Sequence, residues 1–268
     1  MTSEGIIGDD LIVVEIERAQ TSSGVGRVVD AGARAQVLLG KTVLVGPIDP
    51  CGECEVCRRG GAAVCPLAVR RAPFAAGARL TVAARWVVAL GDGLDLPPAL
   101  APAAAGDVAI AYTLYARTGL GPKEAAVVVG TGAIARYLVQ ILIAKGISPT
   151  VVADPADEPW CAWLLGKGAA IARVPVDAPD DAARTTVTAT LAAQDITGRP
   201  WRVIACSPEV VARAASLAGP RATLTVLAPV PAIAGDVIAR EVTLIGVAGA
   251  HPDLVVEAAA LCARGEIV

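Results

Sequence analysis

Hydrophobic positions along this chain follow two rhythms in succession. Up to about residue 100 they come in short runs set off by glycine, serine and proline: DLIVVEIE at Asp10–Glu17, GRVVDA at Gly26–Ala31, TVLV at Thr42–Val45 and LTVAARWVVAL at Leu80–Leu90. Runs rich in β-branched residues and bounded by turn formers read as strands, and short strands at this spacing predict a small barrel-like β unit. Thr21–Gly26 reads as a Ser/Gly break, and Pro97, Pro98 and Pro102 punctuate the connection that leaves the unit. From Ala103 onward the pattern alternates. A helix is expected over Ala103–Thr118, then strand 126–129, helix 132–145, strand 149–153, helix 158–167, strand 170–174 and a helix around 180–193. Strand 202–205, helix 208–218, strands 222–227 and 242–247 and helix 252–263 complete the order. Strands alternating with helices predict a parallel sheet with right-handed crossovers. The expected division is therefore a β-rich domain over 1–105 and a doubly wound α/β domain over 106–268.

Composition narrows this picture only at a few points. The chain has 268 residues, enough for one large or two smaller cores, and is 54% hydrophobic but 3% aromatic, so Ala and Val do most of the filling. A net charge of −3 and a pI near 5.3 argue against an electrostatic nucleic-acid binder. The mean hydropathy of +0.59 is high, so a membrane segment has to be sought. The longest uncharged run, Ala222–Gly235, is broken by Pro229, Pro231 and Gly235 and is too short to span a bilayer. The start, MTSEGIIGDD, has no basic region leading into an apolar one, so no signal peptide and a cytoplasmic location are expected.

Two motifs carry chemistry. The apolar run Ala125–Val129 enters Gly130-Thr131-Gly132-Ala133-Ile134-Ala135 and then a helical pattern, the order of a dinucleotide fingerprint. Gly130 suits the tight turn, Gly132 lets a pyrophosphate approach the backbone at the helix N-terminus, and Ala135 is small enough for close helix–strand packing. Asp154 lies about twenty residues further on, at the tip of the next apolar run, where a carboxylate accepts hydrogen bonds from an adenosine ribose and repels a 2′-phosphate. NAD(H) is therefore the expected cofactor, with Gly130, Thr131, Gly132, Ala133, Ile134 and Asp154 around it. Cys206 and Ala228 are expected beside its nicotinamide half, because strands 202–205 and 222–227 deliver them to the carboxyl edge of the sheet. The bland alternative is a doubly wound sheet with an empty crevice.

The second motif is Cys51-x2-Cys54-x2-Cys57-x7-Cys65. Seven cysteines, four of them in one tight cluster, point to a metal site in a reducing compartment rather than to a disulfide framework. Four thiolates on a short loop match one structural Zn2+ per chain, an iron–sulfur cluster being the residual possibility. Cys161 and Cys262 fall on expected helices and read as packing. So does His251, the single histidine, as a helix-entry residue before Pro252.

A barrel-like first part, a four-Cys lobe with this spacing and a Rossmann half together resemble the medium-chain dehydrogenase/reductase (zinc alcohol dehydrogenase) family. The segments LLGKTVLVGPIDPCGECEVCRRG, GRPWR and AHPDLVVEAA are most similar to its 6-hydroxycyclohex-1-ene-1-carbonyl-CoA dehydrogenase branch. The resemblance implies a Rossmann sheet preceded by a GroES-like domain, here shortened, and a homodimer paired through the apolar edge run Val242–Val247. It also implies a catalytic zinc held by a Cys in Gly-x-Cys-x-[TS]-Asp, a His in Gly-His-Glu and a later Cys or Asp. DLIVVEIE resembles the family's early strand and GVGRVVDAGA the segment after Gly-His-Glu, yet only Arg18–Ser23 separates them. The first ligand's stretch is therefore missing. Thr21, Ser22 and Ser23 stand at the second, and Gly106 at the third, with Ala105 or Asp107 reached by a one-residue shift. The end at Ile267-Val268 lies near where family members leave the Rossmann unit to complete the catalytic domain, so that domain reads as cut down at both ends, with surface that a partner protein covers. Two readings stay open: a non-catalytic homologue that keeps zinc and NAD(H), acting as scaffold or subunit, and a zinc-independent NAD(H) oxidoreductase on an alcohol or hydroxyacyl-CoA substrate. The second needs a proton donor, for which Tyr112, Tyr115, Ser207 and Cys206 are candidates. A weaker third treats the Cys lobe as a protein-interaction knob.

Overall fold

The computed structural model describes residues 7–20, 23–71, 73–91, 94–121, 124–197, 200–227 and 235–268. The chain divides into two compact units, Met1–Ile110 together with Ala250–Val268, and Ala111–Gly249.

In the first unit, strands β1 (Leu11–Gln20), β2 (Ser23–Ala31) and β3 (Thr42–Val45) are followed by the short β4 (Ile48–Asp49), helix α1 (Glu55–Arg58), β5 (Val69–Arg70), β6 (Arg79–Ala83), β7 (Val87–Ala89) and helix α2 (Ala101–Ala105). Five of these strands form an antiparallel sheet in the order β6-β1-β2-β3-β7, and β4 pairs with β5. Alternation along β1 turns Ile12, Val14 and Ile16 to one face, where they pack with Val28, Val43, Val45 and Val82. Register shifts at Val13/Val14 and Ile16/Arg18 bend β1 and curl the sheet. The run Leu80–Leu90 is two strands, because a 3-10 turn at Ala84–Trp86 redirects the chain from β6 to β7.

The second unit is doubly wound. Helix α3 (Asp107–Thr118) crosses the division between the units, and after it come β8 (Ala125–Val129), α4 (Gly132–Ala144), β9 (Ser148–Ala153), α5 (Glu158–Lys167), β10 (Ala170–Arg173) and α6 (Asp180–Ala192). Then follow β11 (Arg202–Ala205), α7 (Val211–Leu217), β12 (Thr223–Leu227), α8 (Gly235–Ala239) and β13 (Thr243–Val247). The parallel sheet runs β10-β9-β8-β11-β12-β13. Its central strands are covered on both faces, so β8 reads Ala-Val-Val-Val with every residue after Ala125 buried. Asp157 caps α5 by accepting the Trp160 N–H at 3.2 Å, and Gly168, at φ 80°, ends it.

Two boundaries differ from the sequence expectation. The helix expected over Ala103–Thr118 is two helices, broken at Gly106 (φ −110°, ψ −107°). The last helix, α9 (Val255–Ala263), groups with the first unit rather than with the parallel sheet, packing against α2. Among the buried residues, α2 has Ala101, Ala103, Ala104 and Ala105 and α9 has Ala258 and Ala259, and such small side chains permit close approach.

Candidate nucleotide cleft and cysteine centre

The sheet changes direction at β8, which has β9 on one side and β11 on the other, so a crevice opens outside the carboxyl ends of these strands. Gly130 leaves β8 at φ 126°, and a Cβ there would lie 3.2 Å from the Cys206 Cβ. Gly132, at φ 87°, has open space where a Cβ would project. The loop thus packs tightly on its inner side and presents bare backbone on its outer side. Thr131, extended at φ −129°, precedes α4 without a side-chain cap, and Thr131, Gly132 and Ala133 are exposed while Ile134 is half-buried. An uncapped, exposed helix N-terminus offers backbone N–H groups and a positive dipole end to an anion. Ala135 is fully buried, as the third small position requires.

Asp154 follows β9 across this crevice, and its Oδ1 accepts the Ala156 N–H at 2.9 Å. Gly130, Thr131 and Asp154 line one cleft of about 360 Å³. Ser207, a candidate from the sequence, lines it too, and the walls the sequence had not pointed to are Val174–Val176 after β10 and Glu209, Val210 and Arg213 after β11. The Ser207 hydroxyl, ahead of a backbone N–H, holds the Glu209 carboxyl below the usual carboxylate range. The Arg213 guanidinium is committed to Asp180 (3.0 Å) and to the carbonyls of Val176 (3.2 Å) and Ala178 (2.6 Å). Two acids, Asp154 and Glu209, therefore line the cleft, and its arginine is already engaged.

Cys206 is a correction to the expected set. Its side chain is buried beneath Gly130 and outside the cleft lining, and burial pushes the thiol up to about 12, so it stays protonated and serves as packing. The next residue, Ser207, reaches the cleft instead. Ala228 lies outside the described residues. Tyr112 is buried on α3, its ring edge-on to Tyr115 at 5.6 Å with the Lys145 ammonium 5.5 Å away, an arrangement of packing.

The four lobe cysteines converge. Sγ separations are 4.0 Å for Cys51–Cys57, 3.9 Å for Cys54–Cys65 and 3.6 Å for Cys51–Cys65, and all four sulfurs lie within 4.8 Å of one another. Four sulfurs each about 2.3 Å from a tetrahedral zinc stand about 3.8 Å apart, so the donor set and its spacing fit that ion. Backbone N–H groups of Glu53 and Cys54 pull the Cys51 thiol down to about 6, whereas desolvation, with the neighbouring sulfurs, pushes Cys57 up to about 12. A central cation is what lets all four ionise together. The lobe is anchored from behind. Trp86 Nε1 donates to the Pro50 carbonyl at 2.7 Å, and Arg85 donates to the Cys51 carbonyl. A largely buried Arg71–Asp49 pair (3.1 Å) joins the β4–β5 ladder, and His251 Nε2 donates to the Gly60 carbonyl at 2.8 Å.

The positions that the resemblance assigns to a catalytic metal are described only in part. Thr21 and Ser22 lie outside the described residues, but Ser23 is fully buried and its Oγ donates to the Pro102 carbonyl at 2.7 Å, which brings the start of β2 against α2. Gly106 ends α2, and Asp107 opens α3 with its carboxyl raised above the usual range by burial. Among the described residues, the group of three or more His, Cys, Asp or Glu side chains able to share a metal is the four-Cys cluster. No helix among them is long and apolar enough to cross a membrane.

No protein-family model matches the chain, and no curated protein matches it by sequence. Solved structures match closely in shape. Alcohol dehydrogenase TADH from Thermus sp. ATN1 superposes with a TM-score of 0.79 at 16% identity, over 100% of this chain and 85% of that one. Galactitol-1-phosphate dehydrogenase from Escherichia coli gives 0.79 at 16%, over 100% and 86%. CAD from Helicobacter pylori complexed with NADP(H) gives 0.74 at 12%, over 97% and 82%. The chain has the two-part fold of these dehydrogenases, an antiparallel GroES-like half-barrel and a six-stranded Rossmann sheet.

Proposed function

We propose that this chain is a member of the medium-chain dehydrogenase/reductase family, close to its 6-hydroxycyclohex-1-ene-1-carbonyl-CoA dehydrogenase branch. In this reading it binds NAD(H) and one structural zinc ion and acts as a non-catalytic scaffold or subunit. The observation that carries it is the chemistry at Ser23 and Gly106–Asp107. One hydroxyl is committed to a carbonyl, one position has no side chain, and burial raises the one carboxyl above its usual range, disfavouring the anion that a metal would need. A catalytic zinc normally takes three protein ligands, and this set does not supply them.

The dinucleotide would rest on the backbone from Gly130 to Ile134, with Asp154 on its ribose and Val174–Val176 as an apolar wall. When bound, its nicotinamide supplies a hydride acceptor. Zinc would be held by Cys51, Cys54, Cys57 and Cys65, a closed set that shapes the lobe and leaves no open position for substrate. A homodimer through β13, a protein partner over the first unit and a cytoplasmic location belong to the same reading. The support for the dimer is that β13 is a sheet edge with Leu244 40% exposed.

The test is bound metal and NADH affinity of purified protein. Expected are about one zinc per chain, saturable NADH binding and no turnover of alcohols or hydroxyacyl-CoA thioesters. Asp154→Ala should weaken NADH roughly tenfold or more, the loss of a charged hydrogen bond. Two zinc ions per chain would overturn the degenerate-site reading, and unchanged affinity would remove Asp154 from the ribose. A second reading, a zinc-independent oxidoreductase, is favoured by the Ser207 hydroxyl in the cleft as a proton donor. It requires NADH turnover that Ser207→Ala abolishes.

A further inference from the structure

The nucleotide cleft has two ends that are built differently. At one end the glycine loop and Asp154 follow β8 and β9, which are neighbours in the sheet. At the other end the walls come from strands that are not neighbours. Val174–Val176 follow β10, Glu209 and Val210 follow β11, and both β9 and β8 lie between those strands. Neighbouring strands stand about 4.8 Å apart, so β10 and β11 are about 14 Å apart. No backbone ladder sets the spacing of walls that far from each other.

Arg213 bridges them. It stands on α7, one turn beyond Val210, and lines the cleft itself. Its Nη2 donates to the carbonyls of Val176 at 3.2 Å and Ala178 at 2.6 Å, and its Nη1 meets the Asp180 carboxylate at 3.0 Å. One planar fork, its side chain only 20% exposed, thus holds the segment that follows Val176 at three points, the last of them the first residue of α6. The hydrophobic core joins α6 to α7 beneath, through Ala183, Val187, Val211 and Ala214. At the cleft, the polar link between the two walls among the described residues is this guanidinium.

We propose that Arg213 is a positioning residue of the nucleotide cleft: by tying the Val176 segment to α7, it fixes the gap that receives the flat base of the adenosine half. The inference rests on the NAD(H) reading above. With the pyrophosphate on the glycine loop and the ribose at Asp154, the base continues toward the apolar end. Val176 is 78% exposed and Val210 half-buried, so both are open to it. A gap already held at its bound width lowers the cost of binding instead of adding a contact. Asp180 lies outside the cleft lining but holds the far side of the fork, so it shares the role.

Calorimetric titration of the purified chain with NADH, and with ADP-ribose, which keeps the adenosine half and lacks the nicotinamide, tests this. Arg213→Met keeps the apolar stem and removes the fork. It should bind both ligands roughly fivefold or more weakly, by the same factor for each. Asp180→Ala should weaken both as well, and in the double variant the two losses should not add, because they break one link. Melting curves establish that each variant is folded. If Arg213→Met is not, Arg213→Lys, which keeps the charge and loses the fork, takes its place. A parent chain that binds neither ligand overturns the NAD(H) reading and this inference with it. A parent that binds, with unchanged affinity in the folded Arg213 variant, overturns this inference alone. It is also overturned by a loss confined to NADH, by unchanged affinity in Asp180→Ala, or by losses that simply add.

Discussion

At the scale of single residues, the nucleotide loop is set by what Gly130 packs against. A methyl group there would meet Cys206 at 3.2 Å on a backbone at φ 126°. Gly130→Ala should therefore cost about 1–3 kcal/mol in urea unfolding, the usual range for strain of this kind. Asp107 gives a prediction with a definite sign. Burial raises its carboxyl, so between its unfolded and folded pKa the folded chain holds more proton, and stability falls as pH rises through that window. Asp107→Asn should raise the melting temperature at pH 7 and leave it nearly unchanged at pH 3; a variant that melts lower at pH 7 would contradict this. At this scale the sequence was legible where chemistry is spelled by spacing, as in the four cysteines and in Gly130-x-Gly132. It brought Cys206 and Ser207 together to the carboxyl edge of the sheet without showing which of them lines the cleft. Which of two neighbours at a strand end faces the crevice depends on how the chain leaves the strand, and composition does not encode that.

At the scale of elements, periodicity reported the parallel strands well because each is buried on both faces and so reads as a continuous apolar run. It missed β4 and β5, two residues each, too short to show a period, which pair beside the Arg71–Asp49 ion pair. It also missed the break at Gly106. A helix of small residues carries too weak an apolar stripe to show where one helix stops and another begins. The element most open to test is β13, whose outer edge has no partner strand among the described residues. Leu244→Lys places a charge on that edge. If the proposed dimer forms there, light scattering should show a monomer of unchanged secondary structure, and a persistent dimer would locate the interface elsewhere.

At the scale of the whole molecule, sequence order and compactness disagree. The parallel sheet is built from one continuous stretch, Ala111–Gly249, while the first unit draws on both sides of it. The hydrogen bond from His251 to Gly60 belongs to this long-range closure. Reading His251 as a helix-entry residue is accurate locally, since it precedes the turn at Pro252, but says nothing of a partner 191 positions away. The order of synthesis turns this arrangement into a constraint on biogenesis. As the chain leaves the ribosome, the β-rich unit emerges first but must wait, with α2 lacking the helix it packs against, until residues beyond 250 follow. The doubly wound unit can close before that, having all of its strands in hand. A fragment of residues 111–249 should thus unfold cooperatively and reversibly on its own, whereas residues 1–110 should aggregate or stay open unless the segment 250–268 is added in trans.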